Sequence, residues 1–130
     1  MRASSVAAER GIGGASYGAI AALHSAIERP GAFGLLLLES PPLFISEGRL
    51  LSESKLLHNR LMRVYVGMGG KEAPSAEMNN ALLGAVSAFG VLLKNSAETR
   101  FQLNRVETHQ HNSDAWRERL PAALVFLFGY

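Results

Sequence analysis

Five residues near the start of the chain, Gly14-Ala15-Ser16-Tyr17-Gly18, restrict its folding options more than any other stretch. Glycines at both ends of a G-x-S-x-G run suit a sharp corner between a strand and a helix, where side chains would crowd the turn or the neighbouring strand. The flanks agree with such a corner. Gly11-Ile12-Gly13-Gly14 reads as a short strand approach, and positions 17–29 place Ile20, Leu23 and Ile27 on one helical face before Pro30-Gly31 stops the helix. Positions 33–39 follow as a continuous apolar run of strand length, the pattern of a strand covered on both faces in a parallel sheet. The unit is strand, helix, parallel strand.

The pattern then repeats in kind without repeating in sequence. Pro41-Pro42 ends the second strand and opens an irregular stretch through Gly48, and positions 52–60 suit a short helix carrying Leu56, Leu57 and Leu61. Arg63-Val64-Tyr65-Val66-Gly67 reads as a third strand that runs into a glycine-rich loop, Gly67-Met68-Gly69-Gly70-Lys71-Glu72. From Pro74-Ser75 onward, Met78, Leu82, Ala85, Phe89 and Leu92 share one helical face. Positions 99–106 alternate Phe101 and Leu103 with polar neighbours, as a half-exposed strand at a sheet edge does. A last helix starting near Asn112 or Ser113 carries Trp116, Leu120, Leu124 and Phe128, with Pro121 expected to kink it. The alternation predicts one α/β domain over positions 1–130, with a mostly parallel sheet of about four strands between helical layers.

Composition limits the chemistry. With 48% hydrophobic residues among 130, the chain is rich enough to bury one core. Its net charge of +2 comes from scattered basic residues, so no nucleic-acid footprint follows. The absence of cysteine excludes thiolate metal sites and cysteine nucleophiles. The apolar runs at 35–38 and 120–128 fall far short of the roughly 20 residues that cross a bilayer, and no signal-peptide pattern opens the chain. The expectation is therefore no membrane partner, no cofactor, no metal and a cytoplasmic location by default.

In an open α/β sheet the active site lies beyond the C-terminal ends of the strands, which selects the loops holding Ser16, Ser40, Glu72 and the pair His109 and His111. A serine hydroxyl needs an adjacent base to act as a nucleophile, and a carboxylate to orient that base. Ser16 precedes a carboxylate and a histidine in the order serine, acid, histidine. Glu72 follows the third strand, although Glu39 and Glu77 also lie near loops. His111 and His109 compete as the base. The backbone N–H of Tyr17, at the start of the helix, is placed to meet an oxyanion. His24 and His58, inside predicted helices, are given no role. A dinucleotide reading of Gly11-Ile12-Gly13, with Glu39 as a ribose acid, fails because Ser16 stands at the third glycine and Glu39 comes too late. A metal reading fails because His109 and His111 have no His or Cys partner at usable spacing.

Several segments together resemble the esterase family that includes esterase D, enterochelin esterase and feruloyl esterases, all α/β-hydrolase folds. They are the run from Ile12 to Ala19, then Arg29-Pro30-Gly31-Ala32-Phe33-Gly34 leading to Glu39-Ser40-Pro41, the run from Val64 to Glu72, and His111-Asn112-Ser113-Asp114-Ala115-Trp116. The resemblance implies Ser16 as nucleophile, Glu72 as the orienting acid, His111 instead of His109 as the base, and a small-molecule ester as substrate. Family members commonly have a second glycine where Ala19 stands. They also carry several strands ahead of the nucleophile, so the resemblance implies the C-terminal portion of the full fold, lacking the N-terminal strands and the second oxyanion N–H they supply. On that basis the isolated chain is expected to be weakly active or inactive unless a missing segment, or a second copy joined through the exposed sheet edge, completes the site. A remnant or interaction subunit without a working site is the alternative.

Overall fold

A computed structural model describes residues 6–129. Four strands, β1 (Gly11–Ala15), β2 (Leu35–Glu39), β3 (Met62–Lys71) and β4 (Thr99–Gln110), lie side by side in chain order, every neighbouring pair parallel. Between them run α1 (Tyr17–Glu28), α2 (Ile45–Glu53) with a 3-10 turn at Ser54–Leu57, and α3 (Ala76–Leu93), and α4 (Ser113–Phe128) closes the chain. This is the expected α/β architecture with an all-parallel sheet, and β4 lies at an edge as its alternation indicates.

Period-two alternation explains how the layers assemble. Leu36 and Leu38 of β2 and Met62, Val64, Val66 and Met68 of β3 face a large core with Leu23 and Ile27 of α1 and Leu82, Val86, Phe89 and Leu93 of α3. Leu35, Leu37 and Tyr65 point the other way and meet Ala123, Phe126 and Leu127 of α4. Helices thus cover both faces, and β2 and β3 are buried on both, which is why they read as nearly unbroken apolar runs.

Several sequence boundaries shift. The helix expected at 52–60 lies earlier: α2 spans Ile45–Glu53, with Ser46, Glu47 and Gly48 at positive φ, and Ser54–Leu57 is a 3-10 turn; of the three leucines expected on the helix Leu57 is buried, while Leu56 and Leu61 are exposed. On α3 the buried stripe is Leu82, Val86, Phe89 and Leu93, whereas Met78 faces solvent. On α4 the correction is larger: Ala115, Arg119, Ala123 and Leu127 face the sheet, while Leu120, Leu124 and Phe128 lie on the exposed side. The two alanines let the helix lie close to the strands, where a leucine stripe would hold it off. The helix continues through Pro121.

The Gly67–Gly70 segment is strand, not loop: β3 runs on to Lys71, and β4 extends past Val106 to Gln110. Gly69 still pairs with Val106, but Lys71 pairs with Gln110, so β4 carries extra residues in a bulge. A Cβ on Gly69 would collide with the His109 carbonyl, and one on Gly70 would lie 2.7 Å from the Glu107 Cα. Glycines here let the bulged backbone press against β3, and that bulge delivers the chain to His111.

Candidate active site

Ser16 stands at the junction of β1 and α1 with φ 57° and ψ −123°, a conformation that a residue with a side chain adopts only under strain. Its backbone N–H is tied to the Glu39 carbonyl at 2.8 Å and its carbonyl accepts from Ala19 N–H at 3.0 Å, so both sides of the corner are held. A Cβ on Gly14 would run into the Gly18 backbone and lie 2.9 Å from the Ala19 nitrogen, whereas one on Gly18 meets nothing within 4 Å. Only the first glycine is therefore required by crowding, because the first turn of α1 sits directly on Gly14 while Gly18 points away. Gly14→Ala should cost about 1–3 kcal/mol of unfolding free energy. Gly18→Ala should be neutral or add up to about 1 kcal/mol. Urea unfolding of the two variants checks the asymmetry, and equal losses would contradict it.

Glu72 follows β3 directly, its side chain out of contact with water. Asn79 of α3 fixes the turn: its Oδ1 accepts from the N–H of Glu72 at 2.8 Å and of Ala73 at 3.3 Å, and its Nδ2 donates to the Gly70 carbonyl at 2.8 Å. His111 lies in the turn between β4 and α4, which is closed by Asn112 accepting from Ala115 N–H at 2.9 Å as the helix cap. The ring of Trp116 meets the imidazole edge to face, with centroids 5.4 Å apart.

These elements bring three side chains into line. Ser16 Oγ is 2.9 Å from His111 Nε2, and His111 Nδ1 is 2.7 Å from Glu72 Oε1. With Glu72 as a carboxylate, Nδ1–H donates to it and Nε2 is left to accept from the Ser16 hydroxyl. Tyr17 opens α1, so its backbone N–H has no intrahelical acceptor and stands beside Ser16. His109 goes elsewhere: Arg119 Nη1 donates to its Nδ1 at 3.0 Å, and its Nε2 meets Glu118 at 2.8 Å. Glu77 lies in the exposed first turn of α3.

Glu39 is buried rather than poised for a ribose. Its Oε2 takes donations from Arg119 Nε at 3.0 Å and Nη2 at 2.7 Å, while its Oε1 is buried without a hydrogen-bond partner among the described residues. Burial pushes its carboxyl above the usual carboxylate range, and the hydrogen bonds and charge of Arg119 act against that rise. The sequence offered little sign of this pair, since a helical arginine is ordinarily a surface residue. Leu43 belongs to the core, while Phe44 reaches the surface. On another face, ligand atoms of His24, Glu28 and Glu53 lie within 4.8 Å of one another, with Arg49 bound to Glu53 at 3.1 Å.

A parallel sheet clad by helices, with a strained serine corner at the end of its first described strand, defines an α/β-hydrolase-like protein. Residues 2–127 match the family model described as Putative esterase, and the chain belongs to that family. Its fold is similar to the enterobactin esterase FES of Shigella flexneri (TM-score 0.77, 23% identity, 95% of this chain and 31% of that one). It is also similar to the BES protein of Bacillus cereus (TM-score 0.74, 19% identity, 93% and 46%) and to the siderophore hydrolase EstB of Aspergillus nidulans (TM-score 0.71, 18% identity, 91% and 48%). The chain thus spans less than half the length of each of these structures. No curated protein matches by sequence.

Proposed function

We propose that this chain bears the catalytic residues of a serine carboxylic ester hydrolase working through an acyl-enzyme. The observation that supports this most is the hydrogen-bonded line from Ser16 through His111 to Glu72, placed at the C-terminal ends of parallel strands. In this mechanism Ser16 Oγ attacks the ester carbonyl carbon as His111 Nε2 takes its proton. The imidazolium that forms is held by Glu72, and the Tyr17 N–H faces the developing oxyanion. His111 then returns the proton to the departing alcohol. Water, deprotonated by His111, attacks the acyl group and frees the carboxylic acid and Ser16. Similarity to proteins named for enterobactin and siderophore hydrolysis makes siderophore esters the natural substrates to try first.

Treatment with a serine-directed fluorophosphonate followed by peptide mass spectrometry tests the reading. The expected adduct is on Ser16 and disappears in Ser16→Ala. A folded chain that acquires no adduct on Ser16 would overturn the proposal in favour of an interaction subunit that keeps the fold.

A further inference from the structure

Ser40 follows β2 directly, between Ser16 and Glu72 in the row of strand ends, and takes no part in the steps above. It is 1% exposed and its backbone has φ 49°, a left-handed conformation in which serine is uncommon. Its N–H is tied to the Gly67 carbonyl at 2.8 Å, so the hydroxyl is held from below by the sheet.

Three polar groups surround that hydroxyl, and their chemistry allows one arrangement. Trp116 Nε1 lies 3.0 Å from Ser40 Oγ and Arg119 Nη2 lies 3.3 Å away, and both groups only donate. The oxygen therefore accepts from them, and its single hydrogen goes to the remaining neighbour, Glu72 Oε2, at 2.9 Å. Glu72 Oε2 also accepts from Gly69 N–H at 2.6 Å. With two donors on Oε2, the carboxylate cannot swing, and Oε1 is presented to His111 Nδ1. Arg119 is fixed in turn by its two bonds to Glu39. Trp116 serves both ends, donating to Ser40 while its ring packs on the imidazole.

We infer that Ser40 is a positioning residue for the hydrolysis proposed above: oriented by Trp116 and Arg119, its hydroxyl holds the Glu72 carboxylate at the angle that aligns His111 with Ser16. The inference rests on that functional reading for its kinetic consequence, while the alignment itself is observable without turnover. Loosening a group that holds a reacting side chain typically costs about 10- to 100-fold in activity.

Ser40→Gly separates this role from a merely structural one, because glycine suits the positive φ and so keeps the backbone while removing the hydroxyl. Ser40→Ala, which keeps the Cβ, serves as the second variant. Two quantities are measured on the full chain alongside urea unfolding: kcat and KM for a short-chain ester, and the low-field proton resonance of His111 Nδ1–H, assigned by its loss in His111→Ala. Both variants should lower kcat about 10- to 100-fold with KM little changed, and should shift or broaden the low-field resonance while the chain stays folded. An unchanged resonance and unchanged kcat in folded Ser40→Gly would overturn the positioning role and leave the serine hydrolase reading intact. If the wild-type chain shows the resonance but neither hydrolyses esters nor is labelled at Ser16, the functional reading fails, and the shift in Ser40→Gly alone decides the positioning role.

Discussion

Ser16→Ala is expected to reduce ester hydrolysis to the uncatalysed background, a loss of about 10⁴- to 10⁶-fold where the site is complete and proportionately smaller for a chain that starts weakly active. The alanine keeps the Cβ and the strained backbone, so unfolding should move by no more than about 0.5 kcal/mol. The size of the loss follows from what the hydroxyl does: without it no acyl-enzyme forms, and His111 and the Tyr17 N–H are left only a water to activate. His111→Ala should cost as much, since Ser16 Oγ has its partner at 2.9 Å in that ring. The double variant should be no worse than either single one, because residues that act as a unit do not add. Initial rates on a chromogenic ester, measured with all three variants in parallel, are the readout. A Ser16→Ala variant that retains most of the rate would place the nucleophile elsewhere and end the present reading.

The second large effect concerns stability. Arg119 and Glu39 are each almost completely buried, and Arg119→Met leaves the carboxylate in the interior without its counter-charge. Breaking one side of such a pair costs about 3–5 kcal/mol. Against a total stability of about 5–15 kcal/mol, the variant should unfold at much lower urea concentration. The deficit should also depend on pH, and its sign follows from Glu39. Burial already raises the pKa of this group in the folded state, and removing Arg119 removes the influence that lowers it. A carboxyl whose folded pKa lies above its unfolded one favours the fold while protonated, and that stability is lost as pH rises through the folded pKa. Arg119→Met should therefore regain stability, relative to the unaltered chain, as pH falls toward protonation of Glu39. Glu39→Gln added to Arg119→Met leaves neither position charged and should recover about 2 kcal/mol or more at neutral pH. If the double variant is as unstable as the single one, lost packing and the lost bonds to Ser40 and His109 outweigh the charge.

The two results draw on features of very different visibility. The strands of the sheet can be read because β2 and β3 are buried on both faces, and burial on both faces leaves an unbroken apolar run. The serine corner can be read because Gly14 is required by a collision with the very next turn, a short-range constraint. The buried face of α4 is not legible in this way. Leu120, Leu124 and Phe128 form the more apolar stripe, yet the helix turns Ala115, Arg119 and Ala123 to the sheet. Glu39, 80 residues away in sequence, is what makes an arginine tolerable there, and no local pattern announces that partner. The role of Ser40 is hidden for the same reason, since its three partners come from the end of β3 and from α4.

By itself the sequence determines the alternation of strands and helices, the parallel sheet, the corner at Ser16 and the order in which Glu72 and His111 follow it. These depend on spacing, on glycine and on runs of apolar residues, all of which act between near neighbours. Only the tertiary structure supplies the physical reason that His111, and not His109, meets the serine: the bulge of β4 against Gly69 and Gly70 turns His109 toward Arg119 and carries His111 to Ser16, 95 residues distant. It also decides that a buried ion pair and the Ser40 hydroxyl stand behind Glu72. Hydrogen bonds between strand ends depend on register across the sheet, and register is set only when the whole chain has packed.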